Sequence, residues 1–240
     1  MDLKITPTKD LKGDIAIQVL IDASGSMGSI ANDTMTGYNT FIEQQRKEPG
    51  VALVSLTLFE SGNVTKVYEA MPIDKVPTLT RDVYRVGGGT PLLDAVGDAI
   101  EAQTAILERT ERADGAAGNP DSLMLIMTDG EENSSRHRST NDIKEMVEGR
   151  ESTGWTFVYM GADHNSWAQT SGMGFSAHNT VDYSRGNVEE AFGTLSAATS
   201  HYRATSTISR GMGAEMYETK AFFNDAGIDT KSLNEDESKS

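Results

Sequence analysis

Blocks of nearly unbroken apolar residues alternate along this chain with stretches whose apolar positions recur every three or four residues. The run Ile15-Ala-Ile-Gln-Val-Leu-Ile21 has the continuity expected of a central parallel strand covered on both faces. After a Ser-Gly-Ser-Met-Gly turn, Ile30, Thr34, Tyr38, Phe41, Ile42 and Gln45 fall at helical spacing, with Glu43, Arg46 and Lys47 on other faces, until Pro49-Gly50 stops the helix. Val51 to Phe59 predicts a second strand, Glu60 to Asn63 a turn, and Val64 to Tyr68 an antiparallel hairpin partner. The triple glycine 87–89 then leads through Thr90 and Pro91 into a helix carrying Leu92, Leu93, Val96, Ile100 and Ile106. Pro91 is expected at the first helical position, where its missing N–H has no partner to lose.

The alternation continues. Residues 112–120 read as a loop, and Ser122 to Met127 as a buried strand ending at Thr128-Asp129-Gly130. A polar stretch precedes a helix from about Asn141 to Glu148, and Thr156 to Met160 forms the next strand, followed by Asp163 and His164. A short helix is expected around Trp167 and a short strand near Val181 to Tyr183. Val188, Ala191, Phe192, Leu195, Ala198, Tyr202, Thr205 and Ile208 make one stripe at spacings of three and four, an amphipathic helix of about six turns. There is no internal repeat. This order predicts an α/β, doubly wound fold: a mainly parallel central sheet, one antiparallel edge strand and helices on both faces. In such sheets ligands bind at the carboxyl ends of the strands, where Asp22, Asp129 and Asp163 all lie.

Composition narrows the class. The 240 residues can bury a full core, and a 37% apolar content with 23 glycines suits a globular fold with many tight turns. No cysteine is present, so neither disulfides nor thiolate metal sites contribute. The N-terminus lacks the apolar core of a signal peptide, and no run approaches the roughly 20 apolar residues of a membrane span. The expected location is cytoplasmic. With 36 acidic and 21 basic residues the net charge is −15, which repels phosphate backbones and argues against nucleic acid and anionic membranes as partners.

The densest chemistry lies where the first long strand ends. Asp22, Ser24 and Ser26 place hard oxygens from short side chains near one point, and hard oxygens are what Mg²⁺ prefers. Each candidate has an ordinary alternative: Ser24 or Ser26 could cap the following helix, Thr90 could be an N-cap residue, and Asp129 before Gly130 could belong to a simple turn. Their combination, in three segments near the mouth of one sheet, resembles the metal-ion-dependent adhesion site of von Willebrand factor A (vWA) domains. There an Asp-x-Ser-x-Ser motif, a distant Thr and a later Asp converge. The matching residues here are Asp22, Ser24 and Ser26, then Thr90 in Gly-Gly-Thr-Pro-Leu-Leu-Asp, and Asp129 in Met-Thr-Asp-Gly.

The resemblance covers roughly residues 13–210, leaving residues 1–12 as an N-terminal arm, 211–229 as a C-terminal extension and 230–240 as an acidic tail expected to be disordered. It implies a Rossmann-like vWA fold of the short bacterial or bacteriophage type. It also implies Mg²⁺, or Mn²⁺ in the same geometry, with Ser24 and Ser26 as direct ligands, Thr90 direct or through water, and Asp22 and Asp129 usually holding waters. A partner protein's Asp or Glu carboxylate would complete the coordination. Coupling of the site to the last helix is a further implication.

Two other functions remain open at this level. One is a structural subunit of a larger assembly with a non-essential metal site, and the other is an Mg²⁺-dependent hydrolase. The hydrolase signals are poor. Residue 24 is serine where a nucleophile elbow needs glycine two positions before Ser26, and the glycine run 87–89 lacks the lysine of a phosphate loop. His137, His164, His178 and His201 show no metal-ligand spacing, and Trp155, Trp167, Phe192 and Tyr202 are expected in the core. Glu131 and Glu132 are expected to make the rim of the site negative.

Overall fold

The computed structural model describes residues 10–61, 63–162, 170–210, 221–230 and 233. In chain order its strands are β1 (Leu11–Lys12), β2 (Ile15–Asp22), β3 (Ala52–Glu60), β4 (Asn63–Pro72), β5 (Thr110–Glu111), β6 (Asp121–Thr128), β7 (Thr156–Ala162) and β8 (Thr180–Tyr183). The main helices are α1 (Ala31–Gln45), α2 (Leu92–Glu108), α3 (Thr140–Glu151) and α4 (Val188–Arg210). Six strands form one sheet in the order β4-β3-β2-β6-β7-β8, parallel throughout except for β4 at the edge. The expected doubly wound α/β architecture is therefore the observed one.

β2 lies in the middle of this sheet and is buried at every position, which is why its sequence runs apolar without alternation. The two-residue period survives in what each side chain touches. Ile15, Ile17, Val19 and Ile21 join the core beneath α1 and α4, while Ala16 and Leu20 join the core beneath α2 and α3. Gln18, the polar exception, donates through Nε2 to Thr57 Oγ1 at 3.1 Å on the neighbouring strand. The stripe on α4 buries Val188, Ala191, Phe192, Leu195, Ala198 and Tyr202. Its approach to α1 depends on Gly37, where a Cβ would stand 2.3 Å from Phe192 Cδ2. Trp155 is buried as expected, while Trp167, Asp163 and His164 lie outside the described residues.

Several boundaries differ from expectation, for local reasons. β4 continues past Tyr68 to Pro72 through an irregular register, with Ala70 at φ 47° and its N–H received by Ser55 Oγ at 2.9 Å instead of a ladder carbonyl. Helix α2 starts at Leu92, one residue after Pro91, because the Glu132 carboxylate accepts the Leu93 N–H at 2.9 Å and supplies the helix start from outside. Leu11 and Lys12, part of the expected arm, pair in parallel with Thr110 and Glu111. Leu233, within the segment expected to be a disordered tail, is buried in the core, and its carbonyl accepts the Ser184 N–H at 2.8 Å. Among the described residues no helix is long and apolar enough to cross a membrane.

α3 begins with a reciprocal capping box between Ser139 and Asp142 and ends at Glu151. Burial, and then the charge of Glu148, push the Glu151 carboxyl up to about 7. A carboxyl raised in the folded state holds its proton longer than in the unfolded chain. Its stabilising contribution is thus complete below the ordinary carboxyl range and is lost as pH rises from about 4.5 to about 7. Allowing for solvent screening at this half-buried site, we expect Glu151→Gln to remove about 1 kcal/mol of that decline, measured by urea melts at pH 5 and pH 8. Equal slopes in both proteins would contradict it.

Candidate metal centre

Asp22 closes β2 with its side chain fully buried. Both carboxylate oxygens are fixed by neighbours: Oδ1 accepts the Ser24 N–H at 2.7 Å, and Oδ2 accepts the Thr128 Oγ1–H at 2.6 Å. Tyr84 donates its hydroxyl to the Asp22 carbonyl at 2.6 Å, pinning the strand end from a third segment. The chain then leaves the sheet at Ser24 (φ −65°, ψ 167°) and enters a short 3-10 turn, Gly25–Ser29. Ser24 does not cap that turn with its side chain; its Oγ lies 3.0 Å from Ser26 Oγ. Ser26, exposed at the mouth of the sheet, donates its hydroxyl to Asp129 Oδ1 at 2.6 Å.

Thr90 reaches the same place because the glycine loop is tied to both neighbouring loops. Gly87 N–H donates to the Ala23 carbonyl at 2.8 Å, Gly25 N–H to Gly88 at 3.1 Å, and Ser61 N–H to Gly89 at 2.8 Å. Gly88 adopts φ 68°, a conformation that favours glycine. Thr90 itself is clipped to the loop after β6: its N–H donates to Asn133 Oδ1 at 2.8 Å, and its carbonyl accepts the Asn133 N–H at 3.1 Å. It is not the cap residue of the helix that follows, a position Pro91 takes. A Cβ built on Gly130 would lie 3.0 Å from Thr90 Oγ1, 3.5 Å from Ser26 Oγ and 3.7 Å from Asp22 Oδ2. Oxygens from two loops therefore face one small space on a third, left open by the absence of a side chain at residue 130, and Asp129 of that third loop joins them through its 2.6 Å contact with Ser26.

The electrostatics favour a cation in that space. Burial pushes the Asp22 carboxyl up to about 6, opposed by the hydrogen bonds from Thr128 and Ser24 and reinforced by the nearby charge of Asp129. The Asp129 side chain is fully buried, and its Oδ2 accepts no directed hydrogen bond. Arg185 Nη1 lies 2.9 Å from that oxygen, close enough for an ion pair but off the hydrogen-bond direction. Among the described residues no three His, Asp or Glu side chains gather as a metal site, so any ion here depends on hydroxyl donors as well. Hydroxyl and carboxylate oxygens around a buried, partly unsatisfied carboxylate fit a hard divalent cation such as Mg²⁺, and they do not fit a soft one.

The structure thus brings together Asp22, Ser24, Ser26, Thr90 and Asp129, all five residues singled out from the sequence. It adds four that sequence reasoning passed over. Thr128 orients Asp22, Tyr84 holds the Asp22 backbone, Gly130 leaves the space, and Arg185 stands beside Asp129. Thr128 and Gly130 flank Asp129 in the chain and could have been suspected on that ground; Tyr84 and Arg185 carry no local signal.

The Glu132 carboxylate also has a structural duty: it accepts N–H groups from Leu93, Ser134 and Ser135 and the Ser135 hydroxyl, all within 2.9 Å, neutral donors that fix the loop without cancelling its charge. Asp94 does similar work for the same loop. Burial raises its pKa, but N–H donors from Arg136, His137 and Arg138 outweigh that and hold it below the usual range. His137 and His178 are exposed, and His201 is half-buried on α4.

No family model and no curated protein matches the chain by sequence. Solved structures do match by fold. Proximal thread matrix protein 1 from the mussel byssus superposes with a TM-score of 0.53 at 15% identity over 77% of this chain and 47% of its own. A von Willebrand factor type A protein from Catenulispora acidiphila gives 0.54 at 12% identity over 81% and 47%. The pilus adhesin SpaC from Lactobacillus rhamnosus GG, in its open conformation, gives 0.55 at 13% identity over 82% and 31%. The chain spans less than half the length of each of these proteins. At such identities the likeness establishes the fold, a vWA-like Rossmann α/β sheet.

Proposed function

We propose that this chain is a metal-dependent protein-binding module, with Mg²⁺, or Mn²⁺ in its place, held by Asp22, Ser24, Ser26, Thr90 and Asp129. The observation that carries this reading is the convergence of hydroxyl and carboxylate oxygens from two loops on the space beside Gly130, with Asp129 of a third joined to them through Ser26, at the exposed end of the sheet. When bound, the cation would be touched directly by the neutral hydroxyls of Ser24 and Ser26, with Asp22 and Asp129 holding its waters, and one of those waters would give way to a partner's Asp or Glu carboxylate.

The chain's own residues do the rest. Thr128 and the Ser24 N–H hold the Asp22 carboxylate in one orientation, and buried Asp129 supplies a second negative charge. Exposed Ser26 stands at the opening through which a partner approaches. The acidic surface of the chain favours an anchoring carboxylate that has basic neighbours. The described partners of the Ser24 and Ser26 hydroxyls are each other and Asp129, with no histidine among them, which supports binding over nucleophilic catalysis. That vWA-fold neighbours include a pilus adhesin and a byssus matrix protein also supports a binding role.

Two measurements test the reading. Calorimetry on EDTA-stripped protein should show uptake of one Mg²⁺, and immobilised protein should retain its partner in Mg²⁺, release it in EDTA, and fail to retain it as Asp22→Ala. Absence of Mg²⁺ and Mn²⁺ uptake, or equal partner retention in EDTA, overturns the proposal.

A further inference from the structure

Arg185 lies in the four-residue connection between β8 and α4, far in sequence from every other group at the site. One nitrogen of its guanidinium, Nη1, donates to the Ser26 carbonyl at 3.1 Å and to Ser29 Oγ at 3.2 Å, and stands 2.9 Å from Asp129 Oδ2. The connection that carries it is held in place. Asn187 N–H closes a turn onto the Ser184 carbonyl at 2.9 Å, and both Ser184 N–H and Asn187 Nδ2 donate to the carbonyl of buried Leu233, at 2.8 and 3.4 Å. A permanently charged group is thereby presented to the inner carboxylate of the site from a fixed loop, while its side chain remains 36% exposed.

We propose, building on the metal-binding reading, that Arg185 is a tethered cation that competes with the divalent ion for Asp129 and sets the site's metal affinity. Two positive charges cannot both approach one carboxylate without repulsion in a partly buried setting, so binding of the ion and pairing of Arg185 with Asp129 oppose each other. The off-axis contact leaves the buried Oδ2 without a directed hydrogen bond, and so with bonding capacity that a stronger cation can take up. The half-open side chain gives the guanidinium room to turn toward solvent, where it becomes a second attachment point for an acidic partner. Competition of this kind makes the site respond to changes in free Mg²⁺ instead of remaining saturated.

The test compares Mg²⁺ titrations of EDTA-stripped wild type, Arg185→Gln and Arg185→Lys by calorimetry, with thermal melts in EDTA and in Mg²⁺. Arg185→Gln keeps a hydrogen-bond donor and removes the charge, so it should bind Mg²⁺ about tenfold more tightly. Its melting temperature should fall in EDTA, where Asp129 loses its counter-ion, and rise more than that of wild type on adding Mg²⁺. Arg185→Lys keeps the charge and should bind within about threefold of wild type. Unchanged or weaker Mg²⁺ binding by Arg185→Gln, with wild type binding normally, overturns this inference and leaves the metal-binding reading intact. Failure of wild type and both variants to bind overturns both.

Discussion

Replacing Asp129 with alanine is expected to lower Mg²⁺ affinity by about 100-fold or more. The Asp129 side chain is fully buried, and its two oxygens have different duties: Oδ1 orients the Ser26 hydroxyl at 2.6 Å, and Oδ2 faces Arg185. Alanine removes one of the two carboxylates that make the site attractive to a cation and frees the Ser26 hydroxyl to rotate. It also removes the negative charge that Asp129 sets against Arg185. Loss of the Ser26 hydrogen bond and of the half-exposed Arg185 pair is partly offset by relief of the repulsion with Asp22, so folding stability should fall by about 1 kcal/mol. The two effects are therefore separable. Calorimetric Mg²⁺ titration beside a thermal melt in EDTA measures both, and Mg²⁺ binding at wild-type strength by Asp129→Ala would remove this residue from the site.

Arg203→Met should destabilise the folded chain by about 3 kcal/mol, lowering the melting temperature by roughly 6–12 °C for a domain of this size. Arg203 is only 7% exposed on α4, yet its guanidinium serves the far end of α1. Nη1 donates to the Gln45 carbonyl at 2.7 Å, and Nη2 to the Pro49 carbonyl at 3.0 Å, with longer contacts to Glu48 and Gly50 at 3.5 and 3.4 Å. The last carbonyls of a helix lack partners within it; here Arg203 serves that of Gln45, which otherwise has only the Glu48 N–H at 3.3 Å, together with those of the turn into β3. Burial pulls the Arg203 pKa below the ordinary guanidinium value, although Glu48 and Asp14 pull it back, and the group stays charged. Methionine fills the space but strands these carbonyls. Lysine, with a single ammonium in place of a planar fork, should recover only part of the loss. A melting temperature within 2 °C of wild type for Arg203→Met, about the effect of a surface substitution, would show that water replaces the guanidinium without penalty.

Arg185 sits at the entrance to α4 and contacts Ser26 and Asp129, so the coupling between site and helix that the resemblance implies would have to pass through this contact. The same loop is fastened by Leu233, whose carbonyl accepts the Ser184 N–H and Asn187 Nδ2.

Strand and helix identity were legible in the chain because burial imposes local patterns. An unbroken apolar run such as Ile15 to Ile21 has few uses other than a strand covered on both faces, and the three-and-four stripe on α4 has few uses other than packing. Asp22, Ser24 and Ser26 were legible for a related reason: short oxygen side chains at a strand end have little to do in a core. The joining of Thr90 and Asp129 to them was inferred from a family resemblance, not from spacing, since nothing local says which loops of a sheet meet. What only the tertiary structure decided is how the polar side chains are paired. Glu132 turns inward to start α2, Arg203 closes α1, Leu233 enters the core from a polar tail, and Arg185 arrives beside Asp129. Hydrophobic periodicity records that a position is buried, and hydrogen bonds between residues distant in the chain leave no such periodic trace, so these partners are settled only when the folded backbone brings them within reach.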